Sequence, residues 1–152
     1  MATRHRGPAA EVRALDAYIK LTRASASVDA RLAGVASAAG LTGGQFGVLE
    51  ALYHLGPLAQ CDLAAKLLRS PGNVTLVIDN LEKRGLVRRE RSTADRRRVA
   101  VHLTDEGRRL IRKLFPKHAA AVAAKFGVLT AAEQDELGRH CRKLGLALCE
   151  PR

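Results

Sequence analysis

Residues 56–104 read GPLAQCDLAAKLLRSPGNVTLVIDNLEKRGLVRRERSTADRRRVAVHLT, and this stretch decides the fold. Gln60 to Leu68 has the spacing of a short helix, with Leu63, Ala64, Leu67 and Leu68 on one apolar face. Arg69 ends it. Ser70 then has the chemistry of an N-cap, and Pro71 suits a first helical position, where its missing N–H costs nothing. A second helix is expected from there to Arg84, with Gly85 as its stop.

At about 100° per residue, this second helix separates into two faces. Val74, Val77, Ile78 and Leu81 cluster on one side and form a core strip. Gly72, Leu76, Asp79 and Lys83 lie opposite, flanked by Asn73, Thr75 and Asn80. That face is small and polar near its N-terminal end, as a helix entering the major groove of DNA requires. An ordinary amphipathic surface helix is the plain alternative.

Leu86 to Arg91 and Val99 to Leu103 alternate as a pair of antiparallel strands, with Val99, Val101 and Leu103 facing one way. The loop between them, Ser92 to Arg98, carries Arg96, Arg97 and Arg98 in a row. Three adjacent guanidinium groups repel one another unless an anion is expected there. A narrow minor groove, with its enhanced negative potential, attracts such arginines. Asp95 is out of place beside phosphates unless it holds a guanidinium in position.

Together these segments resemble the winged helix-turn-helix of the MarR (multiple antibiotic resistance regulator) family of transcription factors. The resemblance is carried by Ser70-Pro71-Gly72-Asn73-Val74-Thr75, Leu81-Glu82-Lys83-Arg84-Gly85-Leu86-Val87, Asp95-Arg96-Arg97 and Val101-His102-Leu103-Thr104. It extends upstream through Leu41-Thr42 and Gln45-Phe46 and loosely covers almost the whole chain. Ala59 departs from it, because the family often places a Ser or Thr cap there; that loss weakens the helix start by about 1 kcal/mol. The resemblance implies a mainly α fold with a small β-hairpin wing, and 1–152 as one MarR-type domain. Within it, 42–104 would be the DNA-binding part, and 8–39 and 105–152 the dimerisation helices. Residues expected at DNA are Ser70, Gly72, Asn73, Thr75, Leu76, Asn80, Lys83, Asp95, Arg96, Arg97 and Arg98.

Charge points the same way. Of the net +11, residues 66–98 hold ten basic and four acidic side chains, so more than half of the excess sits in a fifth of the chain. A charge so concentrated is the electrostatic footprint of a polyanionic partner. Apolar residues make up 47% of the chain but aromatics only 3%, so Ala and Leu build the core and helix is favoured over sheet. No apolar run is long enough to span a membrane, and residues 1–13 lack an apolar signal region. A cytoplasmic protein is expected.

Outside the central block, Pro8 to about Ala39 fits one long helix, or two broken near Ser25 to Ser27, with Gly40 as its end. Thr42 and Gln45 form a capping box for a helix whose Phe46, Leu49, Leu52 and Tyr53 face the core. After Thr104 a long helix is expected, kinked at Pro116 and ended by Gly127. Thr130 and Glu133 cap a last one carrying Leu137, Leu144, Leu146 and Leu148. These outer helices carry more apolar surface than a small winged helix can cover. A homodimer reading a palindrome with half-sites about one helical turn apart accounts for the surplus; helices folded back on their own domain would do so too.

Other chemistry is sparse. Cys61, Cys141 and Cys149 fit a reducing compartment better than a disulfide framework, and the last two lie about 12 Å apart along one helix. Cys61, in a first helical turn, is the candidate for oxidation-controlled regulation. The hydroperoxide-sensing branch of the family uses a cysteine in its N-terminal helix, which this chain lacks. Five histidines show no paired ligand spacing, so neither metal nor cofactor is expected. No nucleophile elbow, phosphate loop or partnered carboxylate pair supports an enzyme. Tyr18, Phe46, Tyr53, His54, Phe115 and His118 fall on helices that, in the resembling family, flank a ligand cleft. Phe115-Pro116-Lys117-His118 is similar to family members that respond to quinones or phenols, which implies a small aromatic ligand. The leading expectation is therefore a homodimeric, sequence-specific regulator of the repressor kind, released from its operator by such a ligand. A regulator answering to Cys61 oxidation and a weakly specific architectural DNA-binding protein are the alternatives.

Overall fold

The structure, a computed structural model, describes residues 3–67, 71–91, 93, 95 and 98–148. The expectations placed on Leu68, Arg69, Ser70, Arg96, Arg97 and Cys149 lie outside those residues. In chain order the elements are α1 (Ala9–Ala38), α2 (Gly43–Leu55), β1 (Leu58–Ala59), α3 (Gln60–Lys66) and α4 (Pro71–Lys83). They continue with β2 (Val87–Arg91), β3 (Val99–Leu103), α5 (Asp105–Phe126) and α6 (Ala131–Leu148). This is the mainly helical winged helix-turn-helix anticipated from the sequence. The chain divides into two compact units, Met1–His118 and Ala119–Arg152.

In the first unit the core is aliphatic. Val48, Leu49, Leu63, Val74, Ile78, Leu81, Val101 and Ile111 have no exposed surface. They come from α2, α3, α4, β3 and α5, and the short helices α2, α3 and α4 are held by this burial rather than by their own helical propensity, which is marginal at such lengths. The strip on α4 is the one the helical wheel picks out, with Val77 half-buried beside it. Of the two readings for the N-terminal segment, the structure has a single unbroken helix of 30 residues. Ser25 and Ser27 do not break it, since serine disfavours a helix interior only mildly and neither Gly nor Pro lies near them.

Helix ends follow local chemistry. Gly40 has φ +67°; its N–H donates to Ser37 O at 2.9 Å while the Leu41 N–H donates to Ala36 O at 3.0 Å, closing α1. The same pair of bonds closes α4 through Gly85, φ +69°, with Leu86 N–H reaching Leu81 O at 3.0 Å. Thr42 and Gln45 form the expected capping box on α2. Thr130 and Glu133 do so on α6, where the Thr130 N–H, donating at 2.7 Å, holds the Glu133 carboxyl below its usual range. Ala59 gives α3 no side-chain cap. Instead it pairs with Ala100, and Leu58 with Val101, making a third strand in the order β1-β3-β2. Two residues are too few for any alternation to show in the sequence.

Thr104 joins the wing to the helices. Its hydroxyl donates to Gly85 O at 2.6 Å and accepts from the Gly107 N–H at 3.0 Å, while its own N–H donates to Leu86 O at 3.2 Å. The first turn of α5 therefore lies directly on the turn that ends α4. Gly107 is buried there, and a Cβ at that position would collide with the Leu86 carbonyl. α5 then runs as one helix through Pro116. No single helix among the described residues is long and apolar enough to cross a membrane. Gly107→Ala should lower stability by about 2 kcal/mol, an overpacking cost set by rigid backbone on the other side of the contact. Urea midpoints of the variant and the parent check this; equal midpoints would contradict the close approach.

Candidate nucleic-acid interface

The strip Val74, Ile78 and Leu81 turns the remaining residues of α4 outward. Gly72, Asn73, Asn80 and Lys83 are exposed, Thr75 is half-buried, and Leu76 is 60% exposed despite its apolar side chain. A leucine held in water on an otherwise polar face is suited to contact with a thymine methyl group. Among the described residues, a Cβ added to Gly72 would meet no atom within 4 Å.

Asp79 belongs to the same outward side by helical angle, yet it does not present its charge to a groove. Its Oδ1 lies 2.6 Å from Nη2 of Arg89, on β2. Arg89 Nη1 reaches Glu82 Oε2 at 2.8 Å, and its backbone N–H donates to Glu82 Oε1 at 3.1 Å. The same guanidinium donates through Nε to Gln60 Oε1 at 3.2 Å and through Nη2 to the Thr75 carbonyl at 3.4 Å. One arginine thus ties β2 to α3 and to two turns of α4. A second arginine, Arg84, donates to Gly40 O at 2.8 Å and Ala39 O at 3.4 Å, setting a cation against the C-terminal carbonyls of α1.

Neither Arg89 nor Arg84 emerges from periodicity, because their partners lie on other elements. The only sequence signal is the pair of acids at 79 and 82, three apart on one helix and followed by arginines. In the wing, the Arg98 N–H donates to Asp95 O at 3.0 Å, and Arg98 Nη2 lies 3.3 Å from Asp62 Oδ2 on α3. Arg98 therefore stands where the hairpin loop meets β3, against α3. Cys61 is exposed beside this pair, its thiol 3.8 Å from Asp62 Oδ1.

Across the hairpin, His102 sits opposite Arg88, and Arg88 pairs with Glu90. Partial burial pushes the His102 imidazole below the ordinary histidine range, and the Arg88 guanidinium pushes the same way. Glu90 Oε2, 3.1 Å from Nε2, opposes this, but its carboxylate is already engaged by Arg88.

Five of the six aromatic and histidine candidates come together. Phe46 and His118 stand with ring centroids 4.7 Å apart, His54 and Phe115 at 4.4 Å, and Tyr53 and His54 at 5.0 Å. Phe46 is buried in the core, whereas Tyr18 is 63% exposed on α1 and joins none of these ring contacts. A cleft of about 720 Å³ lies elsewhere in this unit, between Val35, Arg84, Leu86, Leu110, Lys113 and Leu114, and none of the six candidates lines it.

A small sheet, a short first helix, and a second helix with one face buried and one offered to solvent define a winged helix-turn-helix DNA-binding regulator. The MarR family model matches residues 41–99. The chain is 38% identical over 134 residues to the uncharacterised HTH-type transcriptional regulator YkoM of Bacillus subtilis, covering 88% of this chain and 87% of that one. Among solved structures it is similar to Sco3205, a MarR family transcriptional regulator of Streptomyces coelicolor in complex with DNA. That match has a TM-score of 0.84 and 28% identity, over 97% of this chain and 93% of the other. It is also similar to BpsR of Bordetella bronchiseptica, whose DNA binding is regulated by 6-hydroxynicotinic acid. Here the TM-score is 0.75 with 31% identity, over 82% of this chain and 89% of the other. The chain belongs to the MarR family.

The His102 environment generates a pH dependence. Because its folded pKa is depressed, the unfolded chain takes up the proton more readily, so stability falls as pH drops through the ordinary histidine range. The stability of the parent relative to His102→Gln should therefore decline between about pH 8 and about pH 5. Parallel denaturation curves at each pH check this, and a constant difference would contradict the assignment.

Proposed function

We propose that the chain is a homodimeric repressor that reads a palindromic operator through the outward face of α4 and is released by a small planar aromatic acid or phenol. The observation that carries this reading is the split of α4. Its apolar strip is fully buried, while Gly72, Asn73, Leu76, Asn80 and Lys83 stand together in solvent with the half-buried Thr75 at their edge. Asn73, Thr75 and Asn80 supply hydrogen bonds to base edges, Leu76 an apolar contact, and Lys83 a phosphate contact. The wing contributes Asp95, Arg96, Arg97 and Arg98, and Ser70 is a further DNA contact; for Ser70, Arg96 and Arg97 the support is sequence alone. Residues 42–104 form the DNA-binding part.

Support for a dimer comes from α1 and α6. Leu15, Tyr18 and Leu21 stand exposed on α1, and α6 has no buried residue while Leu137, Leu144, Leu146 and Leu148 are exposed. Residues 8–39 and 105–152 then serve as the dimerisation helices, and the protein works in the cytoplasm, where its DNA is. The ring cluster of Phe46, Tyr53, His54, Phe115 and His118 offers stacking surfaces and imidazole hydrogen bonds suited to a hydroxylated aromatic ligand. BpsR, a relative answering to such a compound, favours this reading. Oxidation of the exposed Cys61 is the second reading.

Competition binding at fixed salt tests the proposal, using DNA flanking the protein's own gene against scrambled duplex. The specific duplex should be preferred by about 10³ or more. Arg97→Ala should lower the salt slope by about one per subunit, and Asn73→Ala should relax sequence preference instead. Hydroxylated aromatic acids should release the DNA from both the parent and Cys61→Ser; release by peroxide alone, lost in Cys61→Ser, would favour the thiol. A monomer at micromolar concentration, or equal affinity for both duplexes, would contradict the proposal.

A further inference from the structure

We propose that Gln60, on α3 and off the groove face, is a specificity-positioning residue that acts through Thr75. This rests on the reading that the outward face of α4 enters the major groove. Gln60 Nε2 lies 2.6 Å from Thr75 Oγ1, and Gln60 Oε1 lies 3.2 Å from Arg89 Nε. Which end of the amide faces which partner is settled by chemistry. A guanidinium has five N–H donors and no acceptor, so the atom facing Arg89 is the amide oxygen. The NH₂ group then faces Thr75, and the Thr75 hydroxyl accepts from it. Gln60 helps fix the location of that oxygen.

The clamp behind this contact is built to hold. The Arg89 side chain is 23% exposed and is itself fixed by Asp79 and Glu82 at 2.6 and 2.8 Å. Its Nη2 also donates to the backbone carbonyl of Thr75 at 3.4 Å, so carbonyl and hydroxyl of one residue are tied to the same network. Thr75 lies in the first turns of α4, the part of a recognition helix that meets base edges. Hydrogen bonds to bases tolerate only a few tenths of an ångström, so an amide that places one hydroxyl helps set which base is accepted. No phosphate contact is involved, and that separates this role from a general electrostatic one.

The test uses the full-length protein and a duplex library with a randomised central block. Bound duplexes are selected and sequenced for the parent, Gln60→Ala, Gln60→Glu, Thr75→Ala and the double variant Gln60→Ala/Thr75→Ala. The parent should enrich a defined motif. Gln60→Ala should lose about tenfold in preference for that motif over scrambled duplex, about the cost of one mismatched base pair, with an unchanged salt slope. The double variant should be no worse than Thr75→Ala alone, since Gln60 acts through that hydroxyl. Gln60→Glu keeps size and shape and can accept from Arg89, but the Thr75 hydroxyl must now donate to it. A changed base should therefore be enriched at the position that Thr75→Ala leaves degenerate. Because Gln60→Glu keeps the packing, the test stands even if Gln60→Ala fails to fold. The parent motif and preference retained in Gln60→Glu, losses that multiply in the double variant, or a motif untouched by Thr75→Ala would each overturn the inference. A parent that enriches no motif would overturn the DNA-reading assignment on which it rests.

Discussion

The guanidinium of Arg89 meets the carboxylates of Asp79 and Glu82, and on that meeting depends how α4 is turned. Its energy is modest: with the carboxylates about two-fifths exposed, ion pairs of this kind contribute roughly 0–1 kcal/mol each. Burial of Val74, Ile78 and Leu81 contributes far more, about 1.5–3 kcal/mol per side chain. The two effects do different work. Apolar burial is non-directional and would tolerate some rotation of α4 about its axis. Four polar contacts from one planar, rigid group to Gln60, Thr75, Asp79 and Glu82 would not. The buried strip decides which face of α4 is outward, and Arg89 fixes that orientation more narrowly.

The same economy governs the charge of this segment. Its ten basic groups suggest a surface of free cations, but Arg84, Arg88, Arg89 and Arg98 each have an internal partner. These arginines are engaged within the protein. The excess charge nonetheless remains, because carboxylates are fewer than cations, and the long-range attraction to a polyanion depends on that net value. Placement and steering are therefore met by one set of residues, with Lys83 and the exposed Arg91 adding to the field.

Much of this fold was legible in the sequence because its signals are local. Pro71 and Gly85 bound α4, Thr42 with Gln45 and Thr130 with Glu133 cap their helices, and the period of α4 separates its two faces. What was not legible depends on contacts between elements. The strand Leu58–Ala59 is defined only by its pairing with β3. Asp79 reads as part of the groove face until its partner on β2 is seen, and Gln60 reads as a helix start until its amide is found against Thr75. A possible break at Ser25 to Ser27 is absent for the opposite reason: a mild local preference yields to the continuity of a long helix. Phe46, Tyr53, His54, Phe115 and His118, grouped in the sequence through the family resemblance, make ring contacts with one another, but no helical wheel could place the separate cleft beside Arg84.

The central claim, that the outward face of α4 enters the major groove while the wing lies at the minor groove, can be tested by dimethyl sulfate footprinting of a selected duplex. This reagent methylates guanine N7, a major-groove atom, and adenine N3, a minor-groove atom. The account predicts protected guanine N7 in two blocks about one helical turn apart, each with protected adenine N3 on its flank. Protection of adenine N3 with guanine N7 left fully reactive would contradict it.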